Sequence, residues 1–267
     1  MDVLHTTAEF RRVRAGVASP LGLVPTMGAL HEGHLSLVER ARQECPTVAM
    51  SIFVNPTQFG PHEDFNRYPR PIERDLDLAR DAGVDLVFNP SPEEMYPPGF
   101  ATSVEVGQPA HRWEGERRPG HFRGVATVVT KLFTITTPHR AYFGQKDFQQ
   151  LAVIRRLVTD LNLPVEIVGC PIVREPDGLA LSSRNVYLTE EERPFATALH
   201  QALQEAQRRT VSGVRDAEVV RSTMEAILLD TPGVTPDYVA VVDPVTLEPL
   251  RYIDGPAHAL IAARLGT

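Results

Sequence analysis

Between residues 21 and 170, short apolar runs alternate with stretches of helical period, and this alternation constrains the fold more than any other feature. Leu21–Val24 is a brief apolar run. Leu35–Glu44 carries Leu35, Leu37, Val38 and Ala41 at helical spacing. Val48, Ala49, Met50, Ile52 and Phe53 make Thr47–Val54 nearly continuous in apolar character, the pattern of a strand covered on both faces. Ile72–Gly83 reads as a helix closed by glycine, Asp85–Phe88 as a strand, and Phe122–Thr136 as a strongly apolar helix. Arg140–Phe143, Phe148–Leu161 and Val165–Cys170 continue as strand, helix and strand, and Thr7–Val17 reads as an opening helix. Such a series predicts an α/β fold with a Rossmann-like parallel sheet.

Beyond about Pro171 the pattern changes. An extended segment, Val173–Leu181, turns at Pro176-Asp177-Gly178. Thr189–Arg209 reads as a helix with Thr189 and Glu192 spaced as a capping box, and Asp216–Leu229 as another. Tyr238–Val242 and Ala259–Ala263 read as short strands. The expectation is residues 1–172 as a Rossmann-like domain and residues 173–267 as a smaller α+β domain.

Charge and composition narrow the class. The 267 residues carry a net charge of −7, which gives no electrostatic reason to expect nucleic acid. No apolar run approaches membrane-spanning length, and Met1–His5 lacks the basic start and apolar stretch of a signal peptide. Cys45 and Cys170 lack metal-ligand spacing and form no disulfide framework. A cytoplasmic protein with buried free thiols, no membrane segment and no nucleic-acid partner is expected.

Ligands of parallel sheets bind outside the carboxyl ends of the strands, and three polar clusters fall there. The first, Pro25-Thr26-Met27-Gly28-Ala29-Leu30-His31-Glu32-Gly33-His34, joins a strand to a helix. A helix N-terminus attracts phosphate, and glycine lets a ligand approach the backbone. His31 and His34 share one face of the turn. They fit a metal pair, a structural cap, or donors to a phosphate. Glu32 reads as solvent-facing or as a partner of the helix dipole. The second cluster, Asn55-Pro56-Thr57-Gln58-Phe59, offers Gln58 to a small substrate, whereas Asn55 can simply end the strand. The third, Gly144-Gln145-Lys146-Asp147, places a lysine where it can neutralise phosphate, with Asp147 as an alternative helix cap. Gln149 and Gln150 follow, and one of them can face the pocket.

Outside that edge, Leu181-Ser182-Ser183-Arg184-Asn185 combines two hydroxyls, a guanidinium and an amide, which suits bidentate phosphate binding or an ordinary polar loop. Arg118, His121 and Arg123 flank the entrance to the apolar helix, where one can meet an anion or all can be solvated. Trp113, among Arg112, Glu114 and Glu116, reads as part of an exposed loop.

Five segments together resemble the pantoate–β-alanine ligase family: PTMGALHEGHLSLV at 25–38, SIFVNPTQF at 51–59, HFRGVATVV at 121–129, FGQKDFQQL at 143–151 and LALSSRNVYL at 179–188. The resemblance implies a two-step ligation. ATP and pantoate give an enzyme-bound pantoyl adenylate and pyrophosphate, and β-alanine then releases pantothenate and AMP. It implies ATP contacts at Met27, Gly28, Ala29, Leu30, His31, Glu32, Gly33 and His34, and at Gly144, Gln145, Lys146, Asp147 and Val173. It adds Leu181, Ser182, Ser183 and Arg184 as a loop closing on the triphosphate, with His34 as a proton donor. The catalytic set it implies is His31, His34, Lys146, Ser182, Ser183 and Arg184. Gln58, Gln150 and Asn55 become the pantoate and β-alanine residues. It further implies Mg²⁺ accompanying ATP, a C-terminal lid and a homodimer; where some members carry neighbouring acidic residues near magnesium, this chain departs with Glu73-Arg74-Asp75, and no protein-bound metal is expected there. A simple nucleotidyl transferase would share the histidines without needing Gln58 and Gln150, and a silent nucleotide-binding module would need no full donor set. Leu181 stands where methionine is common in the family, and Gln145 where glutamate is common.

Overall fold

Six short strands make one all-parallel sheet in the computed structural model, which describes residues 1–266. The chain divides into two compact units, Met1–Ala110 with Arg118–Val173, and His111–Arg117 with Arg174–Thr267. Residues 111–117, inside the first expected span, thus belong with the second unit, and Thr267 lies outside the described residues.

The first unit contains β1 (Asp2–Leu4), α1 (Thr7–Arg14), β2 (Leu21–Thr26), α2 (Glu32–Glu44), β3 (Thr47–Ile52), α3 (Ile72–Asp81), β4 (Leu86–Phe88) and a short α4 (Pro92–Met95). The second unit's α5 (Glu114–Arg117) interrupts it. Then follow α6 (His121–Thr136), β5 (Arg140–Gly144), α7 (Phe148–Asp160) and β6 (Glu166–Cys170). Strand order is β1-β4-β3-β2-β5-β6. Every residue of β3 is buried, as its unbroken apolar run requires. One core layer gathers Phe10, Phe88, Phe122, Val129, Leu132 and Ile154, and the other Val38, Ala41, Met50, Ala79, Val87 and Tyr142.

This order has a functional consequence. From β2 the chain builds outward through β3 and β4, then returns to place β5 on the other side of β2. The direction of winding reverses between β2 and β5, and a ligand crevice forms at such a point. Pairing supports the opening. β2 stays paired to β3 as far as Thr26 with Ile52, but to β5 only as far as Leu23 with Ala141. Pro25 sits just beyond that last β5 pair and has no N–H to offer a ladder. Asp2–Leu4, too short for a visible period, pairs with β4 at the sheet edge.

In the second unit, α8 (Ala198–Val211) and α9 (Ala217–Leu229) pack over antiparallel β7 (Val234–Val242) and β8 (His258–Leu265). Ala198, Ala202 and Ala206 form a small-residue stripe on α8, and Val220, Met224 and Leu228 fill the core from α9. The expected helix from Thr189 begins nine residues late. The Thr189–Glu192 capping pair does form, at 3.2 and 2.9 Å, but Pro194 has no N–H to continue an α-helix, and regular turns begin at Ala198. Trp113 is not an exposed loop residue. It is half-buried, donates from Nε1 to the Leu247 carbonyl at 3.0 Å, and packs against Tyr238.

Candidate active site

The turn after β2 is shaped by left-handed backbone. Gly28 has φ +82° and Ala29 φ +51°. A Cβ at Gly28 would lie 2.8 Å from Asp75 Oδ2, so only glycine fits. Asp75, 1% exposed at the start of α3, accepts from the amides of Ala29 (2.7 Å) and Leu30 (2.8 Å). A carboxylate taking two backbone N–H bonds makes charge-assisted contacts, each worth about 1.5–3 kcal/mol. Asp75 therefore locks the loop in shape, a role that the sequence reading missed. One signal was available: Asp75 interrupts the inward stripe Ile72, Asp75, Ala79 of α3.

His31 is the N-cap of α2, and the capping reading of the pair is realised. His31 Nδ1 accepts from Gly33 N at 3.1 Å, and His34 Nδ1 accepts more weakly from His31 N at 3.4 Å. An accepting Nδ1 carries no proton, so each ring bears its hydrogen on Nε2. The rings lie 4.1 Å apart, tilted by 36°. Burial pushes His34 down to about 3, with His31 adding to the shift, and burial followed by the Lys146 charge lowers His31. Both rings are neutral donors at physiological pH. The capping and phosphate-donor readings are thus compatible, because the two nitrogens of each ring divide the work. Glu32 is exposed in the first turn of α2.

The loop after β3 meets this turn. Gln58, 8% exposed, donates from Nε2 to Met27 Sδ at 3.2 Å, and its Oε1 accepts from Asn55 Nδ2 at 3.1 Å. Sulfur is a weak acceptor, so a substrate oxygen can displace it. Asn55, 1% exposed, also donates to the Gly124 carbonyl, and its Oδ1 accepts from Thr57 N, Thr57 Oγ1 and Tyr96 Oη. Its polar atoms thus brace the turn that carries Gln58.

At the end of β5, residues 145–147 form a single 3₁₀ turn running into α7. Gly144 and Gln145 are half-buried, whereas Lys146 and Asp147 are exposed. Asp147 occupies the N-cap position without a side-chain cap bond, and its Oδ1 accepts from Lys146 Nζ at 3.1 Å. The Lys146 charge is felt at His31, which puts the two loops together. Gln149 is buried and donates to the Pro109 carbonyl, while the side chain of half-buried Gln150 makes no hydrogen bond among the described residues. Val173, half-buried, follows β6.

In the second unit, Ser182 Oγ accepts from Arg184 N at 3.2 Å and caps the 3₁₀ turn Ser183–Tyr187. Leu181, Ser182 and Ser183 are half-buried and Arg184 is exposed. Arg118 is half-buried and paired with Glu63, His121 is buried against the Gln58 carbonyl, and Arg123 is exposed, as the solvated reading has it. Cys45 and Cys170 are buried free thiols. Among the described residues, no cluster of three or more His, Cys, Asp or Glu is arranged to hold a metal ion, and no helix is long and apolar enough to cross a membrane.

A parallel sheet whose crevice strands end in glycine turns, neutral imidazoles and a lysine defines a Rossmann-like, phosphate-handling α/β enzyme. The family profile described as Pantoate-beta-alanine ligase matches residues 2–267, and the chain belongs to that family; it is a ligase. It is 58% identical over 267 residues to a pantothenate synthetase of Roseiflexus castenholzii, covering 100% of this chain and 96% of that protein. To a pantothenate synthetase of Chloroflexus aurantiacus it is 62% identical over 253 residues, 95% and 90% of the two chains. The crystal structure of pantothenate synthetase from Thermus thermophilus superposes with a TM-score of 0.95 at 52% identity, covering 99% of this chain and 95% of that one. A pantoate-beta-alanine ligase from Francisella tularensis, crystallised with β,γ-ATP and β-alanine, gives 0.78 at 34% identity, with 99% and 97% covered.

Proposed function

We propose that the chain joins pantoate to β-alanine in two steps, adenylating the acid with ATP and then transferring the pantoyl group to the amine. The observation that carries this reading is the convergence of three loops on the β2–β5 crevice, one presenting two Nε2–H donors, one Lys146 and one Gln58. Negative charge builds on the phosphoryl oxygens as the pantoate carboxylate attacks the α-phosphorus. Preorganised donors aimed at that charge are worth several kcal/mol of barrier. The amides of the 28–34 turn, His31, His34 and Lys146 meet the phosphates. His34 acts as a neutral hydrogen-bond donor, because its depressed basicity leaves no imidazolium proton to deliver. Gly144, Gln145, Asp147 and Val173 border the nucleotide. Gln58 and Gln150 hold the hydroxy acid, with Asn55 bracing Gln58. Leu181, Ser182, Ser183 and Arg184 supply further donors to the triphosphate.

The second step needs the amine held against the acyl carbonyl more than it needs a base, since AMP is a good leaving group. The donor set does not form a resident metal site: Asp75 is engaged by two amides and Asp147 by Lys146. Magnesium belongs to the substrate and arrives on the triphosphate. A homodimer working in the cytoplasm completes the proposal, the buried thiols being in keeping with a reducing compartment. The test is exchange of labelled pyrophosphate into ATP. Exchange that requires pantoate and proceeds without β-alanine is expected. Exchange that appears only with β-alanine would rule out a separate adenylate.

A further inference from the structure

The turn that carries Gln58 is held from behind by side chains that the reaction does not use. The Gln58 backbone carbonyl faces His121 Nδ1 at 2.8 Å and Arg118 Nη2 at 3.5 Å. Arg118 forks onto Glu63, at 2.8 Å from Nε to Oε1 and 2.5 Å from Nη2 to Oε2, and its Nη1 lies 3.3 Å from His121 Nε2. The donors and acceptors are fixed by chemistry. A carbonyl only accepts and a guanidinium only donates, so His121 donates from Nδ1 and accepts at Nε2. That arrangement exists only for the neutral ring in one tautomer. His121 is 6% exposed, and Arg118 holds the Glu63 carboxyl below the usual carboxylate range, chiefly through their hydrogen bonds.

The same helix end meets the turn at two more points. The Gly124 carbonyl accepts from Asn55 Nδ2 at 3.2 Å, and a Cβ at Gly124 would overlap the Thr57 carbonyl. The backbone of Gln58 is therefore set by the first turn of α6, and α6 by Arg118 and Glu63. We infer that Glu63, Arg118 and His121 form a positioning relay that fixes Gln58 and thereby governs affinity for the hydroxy acid without touching it. The inference rests on the reading of Gln58 as a pantoate residue. Bonds of the relay run to the Gln58 carbonyl and among Glu63, Arg118 and His121, and the effect is expected on the substrate that Gln58 holds. The relay also accounts for residues whose sequence reading left anion binding and solvation open: Glu63 supplies the anion internally.

Steady-state kinetics of pantoate-dependent adenylation on the intact enzyme test this, with thermal melts to confirm folding. His121→Leu removes the donor, whereas His121→Asn keeps an N–H close to the position of Nδ1. Loss of one orienting hydrogen bond predicts a rise of about tenfold in the pantoate KM for His121→Leu, with the ATP KM within about twofold. His121→Asn recovers most of the loss, and Glu63→Gln moves the pantoate KM in the same direction by less. An unchanged pantoate KM in a folded His121→Leu enzyme, or an equal rise in the ATP KM, overturns the relay. If His121→Leu does not fold, Glu63→Gln carries the test alone, and an unchanged pantoate KM there is equally fatal. Gln58→Ala separates the two levels. If it raises the pantoate KM while the relay variants do not, the relay fails by itself; if it has no effect, the reading of Gln58 fails and the relay falls with it.

Discussion

Two imidazoles that keep their protons on Nε2 give this site its acid limit. Burial disfavours the charged form of His34, which titrates at about 3 when folded and near 6.5 when free. Between those values the unfolded chain binds more protons, so stability rises with pH through that window and is level above it. Acidification from about pH 7 to about pH 5 should therefore destabilise the wild type more than His34→Gln, read as the difference in denaturant midpoints. Equal losses in the two proteins would place the His34 ring in water. His34→Ala should lower adenylation by orders of magnitude with little change in melting temperature, since the bond it forfeits to His31 N is a long one. Near-normal turnover would remove it from the catalytic set. Asp75→Asn turns an amide nitrogen toward backbone donors. It should cost about 1–3 kcal/mol of stability and weaken nucleotide binding, measured by melting and by titration with ATP. Retained ATP affinity would mean that the 28–30 loop keeps its shape without the carboxylate.

Elements rather than residues decide how the loops meet. β2 and β5 part beyond Leu23, and the loops that follow β3, β2, β5 and β6 lie on consecutive strands of the sheet. α6 sets the second loop through Gly124, where no side chain fits against the Thr57 carbonyl. Gly124→Ala should displace the 55–58 turn, costing about 1–3 kcal/mol through overpacking and raising the pantoate KM more than the ATP KM. A variant with wild-type pantoate KM would show that the turn adjusts freely. The alternation of apolar runs and helical stretches was legible because both faces of the sheet are covered, so β3 and α6 announce themselves. What was not legible depended on contacts distant in sequence. The part of Asp75 appears only when the 28–30 amides are placed beside it, and Trp113 reads as a loop residue until Leu247 and Tyr238 surround it. The capping box at Thr189 was real, but it lies ahead of a proline that delays the helix to Ala198.

At the scale of the molecule, the chain passes between its two units three times, at 110–111, 117–118 and 173–174, with α5 donated to the second unit from the middle of the first. The 28–34 turn, Lys146, Gln58 and Gln150 lie in the first unit, whereas Ser182, Ser183 and Arg184 belong to the second. The decisive assay measures AMP and pyrophosphate with ATP, pantoate and β-alanine supplied singly and together. Pyrophosphate limited to about one equivalent per site is expected with ATP and pantoate alone, and sustained AMP release is expected only when β-alanine is added. Absence of AMP under every combination, or AMP release that ignores pantoate, would contradict the two-step ligation.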